Sequence, residues 1–365
     1  MAARIMILGY GSTGKYVLDM ATKMREFSNC CFHVVSRTER EEAEKRINIT
    51  RVSSGIFDFY PAIEYHSCDI NDVDRMSELI TITNPDIIAY TGRYIKGFKY
   101  GEFSYPNDIG YGVWSPMAVV LVEKVMRAVK ASGTKTQVIN TSYGDVVSPA
   151  LAAVDLAPLT SAGNLNHLIP RMKLAYANLT GDNIENVDVT FVGSHYANTY
   201  ISKEGTCNDS PYLLHIAGQT KKSVSDEEIF KRCALPTISG PERNWMIASD
   251  VIVLMRLLLD KSGKEEKTHA PGPFGLAGGY PLLFKDGHMS LDETYFKADD
   301  MISVNKQNLE FDGVSEISAN GITFTDNVIK RMKDIFNIKY PRTVSVEDCE
   351  EFATHIAETL MAVKK

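Results

Sequence analysis

The chain has 365 residues, of which 44% are hydrophobic and 23% charged, and its formal net charge at pH 7 is −7. This composition is typical of a globular protein with a large core, and the length predicts two domains. The negative charge argues against nucleic acid or an anionic membrane as a partner. No apolar run approaches the length of a transmembrane helix, and strand-like sequence begins at residue 4, so we expect a cytoplasmic protein without a signal peptide. The cysteines form neither a C-x-x-C motif nor a cluster with histidine at metal-ligand spacing, which predicts reduced thiols and no bound metal.

Residues 4–14, RIMILGYGSTG, combine a short apolar run with a glycine-rich turn, and the following segment has the pattern of a helix. In a nucleotide-binding turn of this kind, Gly9 would permit the tight bend, Gly11 would let backbone N–H groups approach a pyrophosphate, and Gly14 would allow close packing of helix and strand. The anion would then lie at the positive end of the helix. A glycine-rich turn without a ligand is the alternative. The residues that we assign to the cofactor here are Gly9, Gly11, Ser12, Thr13 and Gly14.

The next predicted strand, residues 31–38, ends in Ser36, Arg37 and Thr38. An NAD site carries Asp or Glu near this point to bind the ribose 2′-hydroxyl. A guanidinium group and two hydroxyls can instead bind a 2′-phosphate through charge-assisted hydrogen bonds. The sequence therefore favours NADP(H) over NAD(H), the alternative being that Arg37 is only a solvated residue at the start of a charged stretch.

The first part of the chain alternates between strand and helix patterns, which predicts an α/β fold with a doubly wound parallel sheet, the Rossmann arrangement. After residue 145 the alternation gives way to an α+β pattern that includes a hairpin at 279–292, a strand pair at 312–325 and helices at 326–336 and 346–364. We predict a dinucleotide-binding domain over residues 1–147 and a substrate and oligomerisation domain over 148–365.

Residues 93–115 form a long predicted connection that is rich in Tyr and Gly and has no helical period. Long connections in compact domains are usually lids or disordered segments, and the aromatic residues argue against disorder. We therefore predict a lid that closes over the nicotinamide end of the cofactor.

In the order of its motifs the chain resembles the lactate/malate dehydrogenase superfamily. The matching segments are TGR at 91–93, VINTSYGD at 138–145, GNLNHLIPRMKLAYANLTG at 163–181 and VDVTFVGSHY at 187–196. The resemblance implies a two-domain enzyme of hydride transfer that forms homo-oligomers, with His195 as the catalytic histidine and Asn140 in contact with nicotinamide ribose and substrate. It also places Thr91 and Gly92 beside the cofactor.

Two positions depart from the pattern of that superfamily. The aspartate that partners the histidine falls on Asn166, which can orient an imidazole but supplies no negative charge to stabilise its protonated form. The arginine that binds the substrate carboxylate falls on Ile169, and Arg171 lies two residues further on. In addition, Asp69 resembles the adenine-contacting aspartates of saccharopine-type and short-chain reductases, so a relation to opine-forming dehydrogenases stays open.

Several side chains are candidates for the chemistry. We expect His195 to act as the general acid and base, or else only to cap its strand. Arg93, at the end of the fourth strand, could polarise a carbonyl or bind a carboxylate, or be a surface cation, and Lys96 is a weaker candidate in the same segment. Tyr143 supplies a phenol to the site or packs as an aromatic.

Together these features predict an NADP-preferring oxidoreductase that acts on a small carboxylate-bearing carbonyl or imine. Two alternatives remain open. One is a dehydrogenase of the opine type that carries out reductive amination, and the other is a sensor that binds NADP(H) without turnover.

Overall fold

The computed structural model describes residues 2–95, 98–163, 165–220, 222–238 and 240–362. Its centre is a six-stranded parallel sheet with the strand order β3-β2-β1-β4-β5-β6. The order reverses between β1 and β4, and in open α/β sheets ligands bind at the carboxyl ends of the strands beside this reversal. The strands are β1 (Arg4–Leu8), β2 (Cys31–Ser36), β3 (Ala62–Ser67), β4 (Ile87–Tyr90), β5 (Gln137–Asn140) and β6 (Thr160–Ser161).

Helices connect these strands and cover both faces of the sheet. They are α1 (Ser12–Ala21), α2 (Arg40–Gly55), α3 (Val73–Thr83), α4 (Phe98–Ser104), α5 (Ser115–Ser132) and α6 (Gly144–Ala152). The predicted α/β class with a doubly wound sheet is confirmed. Residue 147, the predicted domain boundary, lies inside α6, and β6 adds its strand to the sheet beyond that point.

The second part of the chain contains helices and small antiparallel sheets. Its helices are α7 (Ile169–Thr180), α8 (His195–Glu204), α9 (Asp226–Cys233), α10 (Asn244–Leu259), α11 (Ala298–Phe311), α12 (Asp326–Phe336) and α13 (Cys349–Ala362). Its strands are β7 (Asp188–Val192), β8 (Leu213–Ala217), β9 (Glu266–Pro271), β10 (Gly279–Lys285), β11 (His288–Leu291), β12 (Val314–Ser318), β13 (Gly321–Phe324) and β14 (Thr343–Val344). The antiparallel pairings are β7 with β8, β9 with β10 with β11, and β12 with β13 with β14, so the predicted hairpin and strand pair are confirmed.

Both faces of the parallel sheet are buried. Successive side chains of β1 point to opposite faces, and each set lies in a core of its own. Met6 and Leu8 face a core that includes α3, α5 and the C-terminal helices α12 and α13. Ile5 and Ile7 face a second core that includes α1 and α10. Elements from the second part of the chain therefore pack against each face of the sheet.

The segment 93–115 differs from its prediction. It contains α4 and two short 3-10 helices, Tyr105–Asn107 and Tyr111–Trp114, rather than an irregular loop. Its later residues Ile109, Val113 and Trp114 are buried in the core. A lid needs few buried contacts, so the carboxyl-terminal half of this segment belongs to the packed body of the protein.

Of the described helices, none has the length and apolar character that crossing a membrane requires.

Candidate active site

The glycine turn has the geometry that a pyrophosphate-binding turn needs. Gly9 has φ +103°, a conformation that side chains disfavour, and a Cβ atom at Gly14 would lie 2.0 Å from the Gly9 carbonyl oxygen. A Cβ atom at Gly11, by contrast, would meet nothing within 4 Å. Protein atoms therefore fill the space beside Gly9 and Gly14, where strand and helix pack. The space in front of Gly11, at the amino end of α1, is empty of protein atoms. The space fits an anion bound by backbone N–H groups.

Side chains next to the glycine turn contact α10 through a hydrogen bond and a ring stack. Ser12 begins α1, and its Oγ accepts a hydrogen bond of 2.6 Å from Nδ2 of Asn244. Tyr16 stacks on Trp245 with ring centroids 4.4 Å apart, while Thr13 is buried. The first turn of α10 therefore lies directly beside the candidate cofactor site.

At the ends of β2 and β3, the residues predicted to bind a phosphate already have other partners. The Ser36 hydroxyl is 2.9 Å from Tyr65 Oη and accepts from the Thr38 backbone N–H at 3.2 Å. The Arg37 side chain is 74% exposed, and its Nη1 lies 3.9 Å from Oδ2 of Asp69. Arg37 and Asp69 thus bring opposite charges to the place where an adenosine ribose would lie.

The end of β4 lies against the glycine turn and against the end of β5. Thr91 Oγ1 donates to the Gly9 carbonyl at 2.6 Å, and Gly92 follows in the same bend. Arg93 Nη1 donates to Oγ1 of Thr141 at 3.0 Å and to Oγ of Ser142 at 2.7 Å. Burial lowers the pKa of Arg93, and within the described ranges no carboxylate pairs with it. Arg93 is therefore a partly buried cation without a counter-ion among the described residues, and Lys96 lies outside them.

Asn140 is buried and shapes the loop between β5 and α6. Its Oδ1 accepts from the Ser142 backbone N–H at 2.7 Å, and its Nδ2 donates to the Ser142 carbonyl at 2.7 Å and to Ser161 Oγ at 3.2 Å. These bonds occupy both ends of the amide. The geometry explains why the loop turns here and assigns the Asn140 side chain a role in positioning Ser142.

His195 begins α8 instead of ending a strand, because β7 stops at Val192 and Ser194 caps the helix. Its ring lies 4.1 Å from that of Tyr111, centroid to centroid, and meets Tyr143 edge-on at 5.4 Å. Within the described structure, the buried Nδ1 has no hydrogen-bond partner. Burial lowers the pKa of His195 to about 3, so its imidazole is neutral at physiological pH.

Next to His195 lies a group of buried acids. Asp145 Oδ2 accepts from the His195 backbone N–H at 2.8 Å, and burial raises the Asp145 pKa to about 6. Burial, together with the charge of Asp145, raises the pKa of Asp312 to about 8. Tyr143 lies against Asp312 and its own pKa is raised, first by burial. At neutral pH Asp312 is thus protonated and Tyr143 is uncharged.

The fold brings together a histidine and a carboxylate that no local sequence motif indicates. His167 Nε2 lies 2.9 Å from Oδ2 of Asp250, and the two side chains are 10% and 9% exposed. Asn166 Nδ2 donates to the other carboxylate oxygen, Oδ1, at 2.9 Å. Asn166 therefore contacts the carboxylate of Asp250, which lies on α10. In the sequence, the one indication of this role is that Asp250 is the one acidic residue between positions 244 and 259.

Arg171 and Ile169, at the positions of the expected carboxylate clamp, have other partners. Arg171 Nη1 donates to the carbonyls of Cys233 at 2.8 Å and Leu235 at 3.2 Å, and Ile169 is buried. After burial, three neighbours depress the pKa of His195, namely Arg243, Lys203 and His167. Burial and Arg243 also lower the pKa of Lys203. Positive charge thus gathers beside His195 without Arg171.

No protein-family model matches the sequence, and no curated protein is detectably similar to it in sequence. Solved structures, however, are similar in fold. A lactate dehydrogenase from a Medee basin deep-sea metagenome library has a TM-score of 0.56 at 10% identity, with 85% of this chain and 96% of that chain covered. A malate dehydrogenase from Salinibacter ruber has a TM-score of 0.55 at 13% identity, with 84% and 95% covered. The 6-phospho-β-glucosidase of Thermotoga maritima, solved with NAD and glucose-6-phosphate, has a TM-score of 0.54 at 12% identity, with 98% of both chains covered.

These likenesses agree with the topology described above, a six-stranded parallel sheet followed by antiparallel sheets. The chain therefore has the fold of the lactate and malate dehydrogenases and of the NAD-bound phospho-glucosidase that shares their architecture.

Proposed function

We propose that the protein is an oxidoreductase that uses a nicotinamide dinucleotide and transfers a hydride to or from a small anionic substrate. The observation that carries this proposal is the glycine turn, closed at Gly9 and Gly14 and open at Gly11, at the switch point of the sheet. When bound, the nicotinamide ring supplies or accepts the hydride. The solved phospho-glucosidase with NAD, similar over nearly the full length of this chain, supports the same cofactor class.

The choice between NAD and NADP depends on Arg37 and Asp69. Asp69 favours a ribose with a free 2′-hydroxyl, since a carboxylate repels a 2′-phosphate, whereas Arg37 favours the phosphate. Because Arg37 is exposed and has Asp69 as its ion-pair partner, we propose that NAD(H) binds and that any preference for NADP(H) is weak. The sequence alone favoured NADP(H), and the solved NAD complex supports NAD(H) better.

We assign the general acid–base role to His167. Its Nε2 faces Asp250, which leaves Nδ1 to exchange a proton with a carbonyl oxygen or an imine nitrogen. A carboxylate beside an imidazole can orient the ring, and a general acid–base group must be held in a fixed orientation toward the reacting atom. Asn166 fixes the carboxylate through its second oxygen. Nδ1 of His195 has no hydrogen-bond partner among the described residues and its ring is neutral, so in this proposal it only packs between Tyr111 and Tyr143.

The proposed substrate class rests on the positive side chains near the candidate site. Arg93 is a partly buried cation at the end of β4. Arg243, the residue before α10, and Lys203 on α8 both lower the pKa of His195, and Arg243 also lowers that of Lys203. Like charges held together are costly unless an anion offsets them. We therefore propose that the substrate carries a carboxylate or a phosphate, on a carbonyl compound, an imine or a sugar.

Titration calorimetry with NADH and with NADPH tests the cofactor, and absence of saturable binding for both would end the proposal. Turnover is then followed by the absorbance of the reduced cofactor over 2-keto acids, the same acids with added amines, and sugar phosphates. Dependence on an amine would identify the opine-type alternative. Tight cofactor binding without turnover on any of these compounds would favour the sensor. The homo-oligomer implied by the resemblance stays a prediction, which light scattering would test.

A further inference from the structure

Strands β2 and β3, at the edge of the parallel sheet, place three metal-ligating side chains side by side. His33 lies opposite Glu64 in the strand register, and His66 follows two residues later on the same face of β3. No part of the proposed hydride transfer uses these residues. Among the groups of metal-ligating side chains in the described part of the chain, His33, Glu64 and His66 form one whose ligand atoms all lie within 4.8 Å of one another.

The spacing of the three ligand atoms matches one face of a tetrahedral zinc site. His33 Nδ1 is 3.1 Å from His66 Nε2, and Glu64 Oε2 is 3.4 Å from the first nitrogen and 3.8 Å from the second. Bonds of about 2.0–2.1 Å at tetrahedral angles place ligand atoms roughly 3.3 Å apart. The side chains would therefore need to move by only a few tenths of an ångström to coordinate one ion.

The two imidazoles already turn a nitrogen toward each other. His33 Nδ1 and His66 Nε2 form a hydrogen-bonded pair at 3.1 Å, so a metal ion would displace the one proton between them, while Cys31 Sγ lies 3.7 Å from the other nitrogen of His33, Nε2. Burial lowers the pKa of both His33 and His66, which is the direction that favours metal-binding, uncharged imidazoles. The Glu64 side chain is 59% exposed while His33 is 6% exposed, so the fourth position of a tetrahedron opens toward solvent.

We propose that His33, Glu64 and His66 bind a divalent transition metal ion of the zinc class, with water as the fourth ligand. Two imidazoles and one carboxylate are a donor set that suits zinc and its neighbours rather than calcium or magnesium. The ion would then be coordinated by residues of both β2 and the edge strand β3. Arg4 and Arg40 face His33 and His66 and oppose a cation, so this site binds more weakly than a four-ligand structural zinc site.

Titration of tag-free protein with ZnCl2, followed by calorimetry, tests the proposal. We expect one ion per chain, and a loss of affinity of about tenfold or more in both Glu64→Gln and His66→Ala. Glu64→Gln keeps the size of an exposed side chain, so it leaves the fold intact. The matched controls are Glu41→Gln on α2 and His288→Ala on β11, both exposed and outside the cluster, which should bind zinc as the wild type does.

Absence of saturable zinc binding by the wild-type protein would overturn the proposal. So would a loss of less than tenfold in either cluster variant, or an equal loss in the controls. The inference does not depend on the proposed oxidoreductase function, because zinc binding is measured without cofactor or substrate.

Discussion

Asp250 is an acidic residue on the buried side of an apolar helix, and that position needs an explanation. A carboxylate is almost never buried unless it is paired, because water must be removed from its charge. Here two neighbours in sequence, Asn166 and His167, each contact one of its oxygens. The pair supplies the histidine–carboxylate arrangement that Asn166 and His195 together lack.

Replacing His167 by Gln tests its proposed role as the general acid–base group. We expect turnover to fall roughly 10²–10⁴-fold, because a general acid–base group is lost, with little change in the affinity for NADH. Asp250→Asn keeps the shape of the carboxylate but removes its charge, so turnover should fall in the same direction. Steady-state rates and calorimetric titrations of both variants measure the two effects separately.

His195→Gln is the matched comparison, since it removes the histidine that the sequence resemblance favoured. We expect a smaller loss of turnover than in His167→Gln, because burial keeps the His195 ring neutral, whereas His167 lies 2.9 Å from a carboxylate oxygen of Asp250. A normal rate in His167→Gln together with a large loss in His195→Gln would reverse the assignment. Circular dichroism of each variant shows whether the fold is retained.

The pair Arg37 and Asp69 allows a second prediction at this scale, on cofactor choice. Asp69→Asn removes a carboxylate that repels a 2′-phosphate and releases Arg37 from its ion pair, so the affinity for NADPH should rise about three- to tenfold relative to NADH. Arg37→Ala should shift the ratio in the opposite direction. Dissociation constants for both cofactors measure the ratio, and no shift in either variant would place the ribose elsewhere.

Within the glycine turn, Gly14 has a structural role, whereas Gly11 is placed to bind the cofactor. Gly14→Ala would place a methyl group 2.0 Å from the Gly9 carbonyl, so we expect a loss of about 1–3 kcal/mol in the free energy of unfolding. Gly11→Ala meets no atom of the protein, and its backbone is already extended at φ −80°. It should therefore keep the wild-type stability and lose cofactor affinity.

Urea unfolding and NADH titration of these two variants complete that test. Gly133→Ala is a useful third variant, since its Cβ atom would also meet nothing within 4 Å but its φ is +65°, so it should cost stability without affecting the cofactor. Unchanged NADH binding in Gly11→Ala would contradict the placement of the pyrophosphate.

Elements with a strong local pattern could be predicted from the sequence, and contacts between distant segments could not. The apolar strands, the glycine turn and the hairpin at 279–292 all follow from residues that are close in the chain. The pairing of His167 with Asp250 joins residues 83 positions apart, and the cluster of His33 with Glu64 and His66 needs the strand register, so no local pattern shows them. The apolar run before His195 predicts a strand end there, whereas Ser194 caps a helix that begins at His195.

At the scale of the whole molecule, the segment 93–115 joins the two parts of the chain. The Asp312 carbonyl accepts from the Gly112 backbone N–H at 2.9 Å, and Arg331 and Tyr340 donate to the carbonyls of Asn107 and Val113. Together with the core shared by α5 and α13, these contacts couple the sheet to the C-terminal elements. We therefore expect the two parts to unfold together, in one transition.

Buried Asp312 makes that transition depend on pH. Its pKa in the folded protein is about 8, raised by burial, whereas an unfolded aspartate has a pKa of about 3.9. Between these values the folded state binds the extra proton, so the free energy of unfolding falls as pH rises from about 4 to 8. Asp145, raised to about 6, acts in the same direction over the lower part of that range.

Asp312→Asn removes this titration while keeping the size of the side chain. The variant should resemble the wild type near pH 4, and its free energy of unfolding should exceed that of the wild type by a margin that grows with pH and is roughly 1 kcal/mol or more by pH 8. Urea unfolding at pH 5, 6.5 and 8 measures the difference, and Asp334→Asn on the exposed side of α12 is the control, which should follow the wild-type curve. Parallel pH curves for Asp312→Asn and the wild type would mean that Asp312 is ionised in the folded protein, and its contacts with Tyr143 and Tyr111 would then need another explanation.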